Sequence, residues 1–231
     1  MKCIVPLAGG DLLHPQYRFR PWVPVRGERL LRLALKQRAW AGKLAPADYI
    51  FVLREVDGVD ALAVWLRDEW PGCTILRLSR MSGGAMLTAL AGVAMLPDHE
   101  ETVVIDLADI LFTTGPADPE SILREGVGAI IPCFIADDPC YSYLRKEAGR
   151  VVEAVEKRVI SEQASAGVYI FRDGVTYLSA AQYCLAHAES VTVKGVHFIC
   201  PMANGIIAAG LEVLAPLVDD VTPVGKVFHD T

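Results

Sequence analysis

The sequence contains no Cys-x-x-Cys pair, and its six cysteines (Cys3, Cys73, Cys133, Cys140, Cys184 and Cys200) are scattered, most of them in apolar stretches. This spacing argues against a zinc-ribbon ligand set or a disulfide framework and points to core thiols in a reducing cytoplasm. No apolar run approaches the roughly 18 residues that a membrane-spanning helix needs. The most apolar stretches, 127–135 and 205–217, are short or broken by Pro and Gly. The start of the chain passes directly into a strand-like run without the features of a secretory signal. Basic charge is not in excess: 22 Lys+Arg face 28 Asp+Glu, a net charge of −6, which argues against a nucleic-acid-coating protein. The sequence also lacks G-x-G-x-x-G, G-x-x-x-x-G-K-[ST] and G-x-S-x-G, so a dinucleotide fingerprint, a Walker loop and a serine elbow are all excluded.

What is present is a chain of 231 residues, 52% of them hydrophobic, enough to bury a sizeable core. The expected organisation is a single domain, 1–231, with a first half at 1–135 and a second at 136–231. The first half alternates strands and helices. Residues 2–7, 49–53, 74–78, 102–105 and 128–134 read as apolar strands. Residues 28–40, 61–70, 85–96 and 120–125 carry helical spacing or helix-start signals, with Asp57 or Asp60 and Asp118-Pro119 as start signals. The second half suggests a hairpin over 141–157 turning at 147–150, a strand at 167–171, helices at 176–187 and 201–209, and short strands at 211–214 and 221–224. The fold class is therefore α/β: a mostly parallel, doubly wound, Rossmann-like sheet with an appended antiparallel portion. In such sheets ligands bind beyond the carboxyl ends of the strands, which directs attention to Gly9-Gly10, residues 79–84 and residues 106–112.

The residues at those places suit phosphate chemistry. Glycines after a first strand let backbone N–H groups approach a phosphate. Residues 17–27 follow with three arginines, Arg18, Arg20 and Arg26, whose guanidinium groups can grip a polyphosphate or simply be solvated. Asp109 follows a strand, and Asp106 is an unusual carboxylate inside one. Together they raise the prospect of a paired-carboxylate metal site, and one or two carboxylates suffice for Mg²⁺ when phosphates supply the other ligands. The histidines are scattered and read as structural or surface residues.

The order of these pieces resembles the sugar nucleotidyltransferases, the nucleoside-diphosphate-sugar pyrophosphorylase family of GT-A type. The opening "PLAGG" (Leu7, Ala8, Gly9, Gly10) and "FRPWVPVRGERLL" are similar to that family's A-G-x-G-x-R and P-K-P-L-x-P-V-x-G. Ser82-Gly83-Gly84-Ala85 resembles its nucleobase-side loop, and "VVIDLADILF" its strand ending in a metal-binding Asp. Val155-Glu156-Lys157 resembles its V-E-K-P, and "SEQASAGVYIF" its G-x-Y-x-F strand. "PMANGIIAAGLEV" resembles a late segment, and Pro223-Val224-Gly225-Lys226 stands in the place of a closing G-T-P.

By this resemblance, Leu7, Ala8, Gly9, Gly10, Gly83 and Gly84 shape the nucleotide pocket, and Arg20 takes the place of a phosphate-binding lysine. Asp109 holds Mg²⁺, Lys157 binds the sugar phosphate, and Gly167 and Asn204 lie on the substrate side. The chain also departs from the pattern. Asp11 stands where the family has Gly, no arginine precedes Arg18, and Pro223 replaces a second metal-binding Asp, leaving Asp219 and Asp220 as the nearest carboxylates. The implied activity is Mg²⁺-dependent condensation of an NTP with a sugar phosphate, an expected step of polysaccharide precursor synthesis. The implied partners are small molecules, neither nucleic acid nor membrane, and homo-oligomerisation is left open. Two alternatives remain: a relative that binds nucleotides without condensing them, and a glycosyltransferase. The latter would show a D-x-D pair, whereas Asp106-Leu107-Ala108-Asp109 has one residue too many.

Overall fold

The structure is a computed structural model and describes residues 1–224, so Gly225 and Lys226 lie outside the described residues. Strand β1 (Lys2–Leu7) leads through two short ribbons, β2 (Leu13–His14) with β3 (Arg18–Phe19) and β4 (Pro24–Val25) with β5 (Glu28–Arg29), into helix α1 (Leu30–Lys36). Next come β6 (Tyr49–Arg54), α2 (Val59–Glu69), β7 (Thr74–Leu78), α3 (Ala85–Val93), β8 (Val103–Asp106), β9 (Ile110–Thr113) and α4 (Pro119–Ile122). The remainder comprises β10 (Val127–Ile130), β11 (Cys133–Ile135), β12 (Ser142–Glu147), β13 (Arg150–Glu156), β14 (Gln163–Ser165), β15 (Val168–Phe171), α5 (Gly174–Ala186), α6 (Ala188–Val191), α7 (Met202–Ala208), β16 (Glu212–Leu214) and β17 (Asp219–Pro223).

Seven strands form the central sheet in the order β16-β10-β15-β8-β1-β6-β7. All neighbours are parallel except β15, which runs antiparallel to both β8 and β10. Because successive side chains of a strand point to opposite faces, Cys3, Val5 and Leu7 of β1 enter one apolar cluster with α1 and α2. Ile4 enters the other, with α3, α5 and α7. Helices thus cover both faces, the doubly wound arrangement that continuous apolar strands require. A four-stranded antiparallel sheet, β11-β14-β12-β13, is appended, and β9 pairs with β17 as a separate ribbon. Among the described residues no helix is long and apolar enough to cross a membrane. Cys3, Cys133, Cys184 and Cys200 are buried in the two clusters, and burial pushes the Cys133 thiol up to about 12, as expected of an unreactive core thiol.

Four expectations are corrected. The apolar run 128–134 is not one strand: β10 ends at Ile130, and β11 begins at Cys133 in the other sheet. Pro132 separates them, having no N–H to continue a ladder, while its carbonyl accepts from Ala166. Helix α1 stops at Lys36 rather than reaching residue 40, and the buried Arg38 and Trp40 follow in turns beyond it. Gly58, in the left-handed region at φ 74°, occupies the N-cap of α2. Asp57 and Asp60 do not cap it, because they pair instead with Arg18 and Arg77. Asp118 is at the N-cap of α4 with Pro119 behind it, yet makes no capping bond, its carboxylate lying 2.8 Å from Lys43.

Candidate active site

The carboxyl ends of β1 and β8, together with the start of the antiparallel β15, deliver the candidate residues to one rim of the sheet. Beyond Leu7 and the buried Ala8, Gly9 and Gly10 are exposed and turn into a 3₁₀ segment, Gly10–Leu12. A Cβ on Gly9 would lie only 2.5 Å from Asp11 Oδ1, which shows how closely the Asp11 carboxylate folds back over this loop. Arg20 opens a second 3₁₀ segment, Arg20–Trp22, braced by an edge-on contact between Phe19 and Trp22 at 5.0 Å. The Arg20 side chain is only 10% exposed, and its Nη1 lies 3.0 Å from Asp11 Oδ2 and 3.9 Å from Asp109 Oδ2.

Asp109 sits on the tight turn between β8 and β9, reached through Ala108 in the left-handed region at φ 53°. Gly167, at φ 75°, packs directly against it, and a Cβ there would stand 2.9 Å from Asp109 Oδ1. A side chain at 167 would therefore crowd the Asp109 carboxylate, which keeps 19% exposure. One carboxylate with substrate phosphate oxygens matches the ligand set of Mg²⁺, so the residues present fit the implied ion.

The second glycine loop adjoins the first, since Met81 Sδ would be 3.9 Å from a Cβ on Gly10. Gly84 itself, however, faces the chain's own backbone. His197 N–H donates to the Gly83 carbonyl at 2.8 Å, and the His197 carbonyl accepts from Met86 at 3.2 Å. A Cβ on Gly84 would overlap that carbonyl at a φ of 133°, so the close approach read as serving a nucleobase serves residue 197 instead. Gly84→Ala is therefore expected to cost about 1–3 kcal/mol in denaturant unfolding; native stability in this variant would contradict the packing.

Lys157, at the exposed end of β13, holds its Nζ 5.1 Å above the Phe198 ring, next to the residue that docks on Gly83. Its backbone N–H donates to the Tyr141 carbonyl at 3.0 Å. Burial, with lesser contributions from Cys140, Asp138 and Asp109, pushes the Tyr141 phenol up to about 12, so it stays protonated at neutral pH. Tyr141 was not singled out in the sequence: an aromatic ahead of a hairpin carries no signal of its own.

Four further assignments are corrected. Asp106 is fully buried, and both its oxygens are taken by Arg38, at 2.7 and 2.9 Å, which removes it as a metal ligand. Asp220 accepts from Thr113 Oγ1 at 2.9 Å, toward the far end of the β9–β17 ribbon from Ile110 and Asp109. Asn204 is a clasp rather than a substrate ligand: Oδ1 accepts from Ala154 N–H at 2.9 Å and Nδ2 donates to the Ala154 carbonyl at 2.8 Å, tying α7 to β13. Of the three arginines only Arg20 turns toward Asp109, whereas Arg18 donates to Asp57 and Arg26 to Thr222. A hollow of about 510 Å³ lined by Ile130, Lys146 and Leu214 lies at the β16 edge and shares no residue with this site.

No protein-family model matches the chain, and no curated protein matches it. Solved structures do. The chain is similar to a nucleoside-diphosphate-sugar pyrophosphorylase from Vibrio cholerae RC9, with a TM-score of 0.80 and 19% identity, covering 96% of this chain and 95% of that one. It is similar to a UDP-glucose pyrophosphorylase complexed with UDP-glucose, with a TM-score of 0.70 and 16% identity, covering 98% of this chain and 94% of the other. An inositol-1-phosphate CTP transferase from T. maritima gives a TM-score of 0.65 at 13% identity, covering 99% and 93%. At such identities the likeness lies in the course of the backbone, and by that measure the chain has the fold of the sugar nucleotidyltransferases that its sequence resembles.

Proposed function

We propose that the chain is a Mg²⁺-dependent nucleotidyltransferase that condenses an NTP with a sugar phosphate or a similar phosphorylated small molecule. The products would be an NDP-activated compound and pyrophosphate. The observation that carries this reading is the convergence of Arg20 and Asp109 beside the Gly9-Gly10 loop, with Nη1 of Arg20 3.9 Å from the Asp109 carboxylate. A phosphate oxygen of the acceptor attacks the α-phosphorus in line. The new P–O bond forms as the bond to the α–β bridging oxygen breaks, and pyrophosphate leaves with the electron pair. No covalent link to the protein is needed, so catalysis rests on positioning and charge neutralisation.

In this reading Arg20 neutralises the departing phosphates, which compete with Asp11 for its guanidinium. Asp109, packed against Gly167, would hold the cation; Mg²⁺ when bound would offset charge on the phosphate oxygens. The Gly9 and Gly10 backbone lets the phosphates approach, and Lys157 meets the acceptor phosphate from the β13 side. The buried thiols agree with a cytoplasmic setting.

A second reading rests on the 3.0 Å Asp11–Arg20 pair, which stands where the family carries glycine and leaves Arg20 already neutralised. Such a protein would bind nucleotide or sugar nucleotide without turning it over. A pyrophosphate-release screen of the four NTPs against hexose 1-phosphates and inositol 1-phosphate, with and without Mg²⁺, separates the two. Release that requires one NTP, one acceptor and the metal supports the enzyme. Thermal stabilisation by ligand without any release selects the binding protein.

A further inference from the structure

We propose that Arg38 is the positioning residue of this site, clamping both ends of the turn that presents Asp109; the role rests on the nucleotidyltransferase reading above. Arg38 lies just beyond α1 with its side chain 2% exposed. Each of its three guanidinium nitrogens donates a hydrogen bond. Nε and Nη2 donate to Oδ2 and Oδ1 of Asp106 at 2.7 and 2.9 Å, and Nη1 donates to the Ile110 carbonyl at 3.1 Å. Asp106 ends β8 and Ile110 opens β9, so one rigid group holds the residues on either side of 107–109.

The remaining contacts complete the clamp. Asp106 Oδ1 also accepts from Ala108 N–H at 2.8 Å, which holds the left-handed Ala108 in place. Leu107 N–H donates to the Gly167 carbonyl at 3.0 Å, joining the turn to the glycine that packs on Asp109. The Phe112 ring centroid lies 4.1 Å from the guanidinium carbon and covers one of its faces.

A buried ion pair is weak evidence of a purely stabilising role, since well-packed apolar residues of similar volume often do as well or better. What apolar residues cannot supply is three directed bonds in one plane, the property that separates arginine from lysine as well. The pair therefore orients the cation-holding carboxylate in the way that outer residues orient metal ligands elsewhere.

The test uses the Arg38→Met/Asp106→Leu double variant and Arg38→Lys, with the full chain in both. Three quantities are read: the unfolding temperature, amide exchange at Leu107, and pyrophosphate release with its dependence on Mg²⁺. The double variant is expected to unfold near the wild-type temperature, while Leu107 exchanges about tenfold faster and turnover falls about 10–100-fold with a raised Mg²⁺ requirement. Arg38→Lys, which keeps the charge but not the fork, should show the same loosening at Leu107 to a smaller degree. Wild-type exchange and turnover in a folded double variant would overturn the proposal. So would wild-type exchange at Leu107 in Arg38→Lys, should the double variant not fold. Absence of turnover in the wild type would defeat the functional reading alone, leaving the exchange measurement to decide the clamp.

Discussion

Asp109→Asn is expected to lower pyrophosphate release by about 10²–10³-fold, mainly in kcat, while leaving the protein folded. Asparagine has the size of aspartate, so the pocket against Gly167 and the turn through Ala108 can persist. What disappears is the negative charge that would hold the cation against the phosphates. In a partly buried site, with Asp109 19% exposed, that charge acts more strongly than it would in water. A carboxylate on the adjoining β9–β17 ribbon serves as the control. Asp220→Asn, altering an exposed group bonded to Thr113, is expected to change turnover by less than about twofold. Equal losses from both substitutions would place the cation away from Asp109.

Arg38→Leu, made alone, is expected to cost about 3–5 kcal/mol of stability, because it strands the Asp106 carboxylate in the core without its partner. The Asp106 side chain has 0% exposure, so solvent does not reach it in the folded chain. For a chain of this size the loss corresponds to a fall of roughly 6–20 °C in unfolding temperature. Replacing Asp106 by leucine in the same chain should recover most of it, since the interaction of neighbouring buried groups is not additive. A single variant that unfolds at the wild-type temperature would mean that Asp106 finds another donor, and the account of the β8 end would need revision.

Much of the architecture was legible because it is written in local pattern. The apolar runs that became β1 and β6 are nearly continuous, as strands buried on both faces must be, and Glu147-Ala148-Gly149-Arg150 announced the β12–β13 hairpin. Pro132 was also visible as a break, yet its effect, sending the chain from one sheet to the other, depends on partners 30 and more residues away at Ala166 and Leu214.

The site was legible only in part, for a similar reason. Residue type and strand position single out Asp109 and the first glycine loop. Only the resemblance, through its place before Pro21, singles out Arg20 from Arg18 and Arg26; the three side chains diverge because the ribbons β2–β3 and β4–β5 carry the flanking residues elsewhere. Asp106 looked like a metal ligand because a carboxylate in a strand is unusual, and its true partner, Arg38, is 68 residues earlier. Gly84 and Asn204 carried residue types suited to a ligand, and both are used on the chain's own backbone, at His197 and Ala154.

A crystal structure with Mn²⁺, a non-hydrolysable NTP analogue and its acceptor phosphate, read by the anomalous signal of the metal, tests the account most directly. The predicted result is a Mn²⁺ peak on the Asp109 carboxylate, with the triphosphate lying between it and Arg20 over Gly9-Gly10 and with Asp11 displaced from Arg20. A nucleotide bound elsewhere, or a phosphate tail in place with the metal away from Asp109, would contradict it.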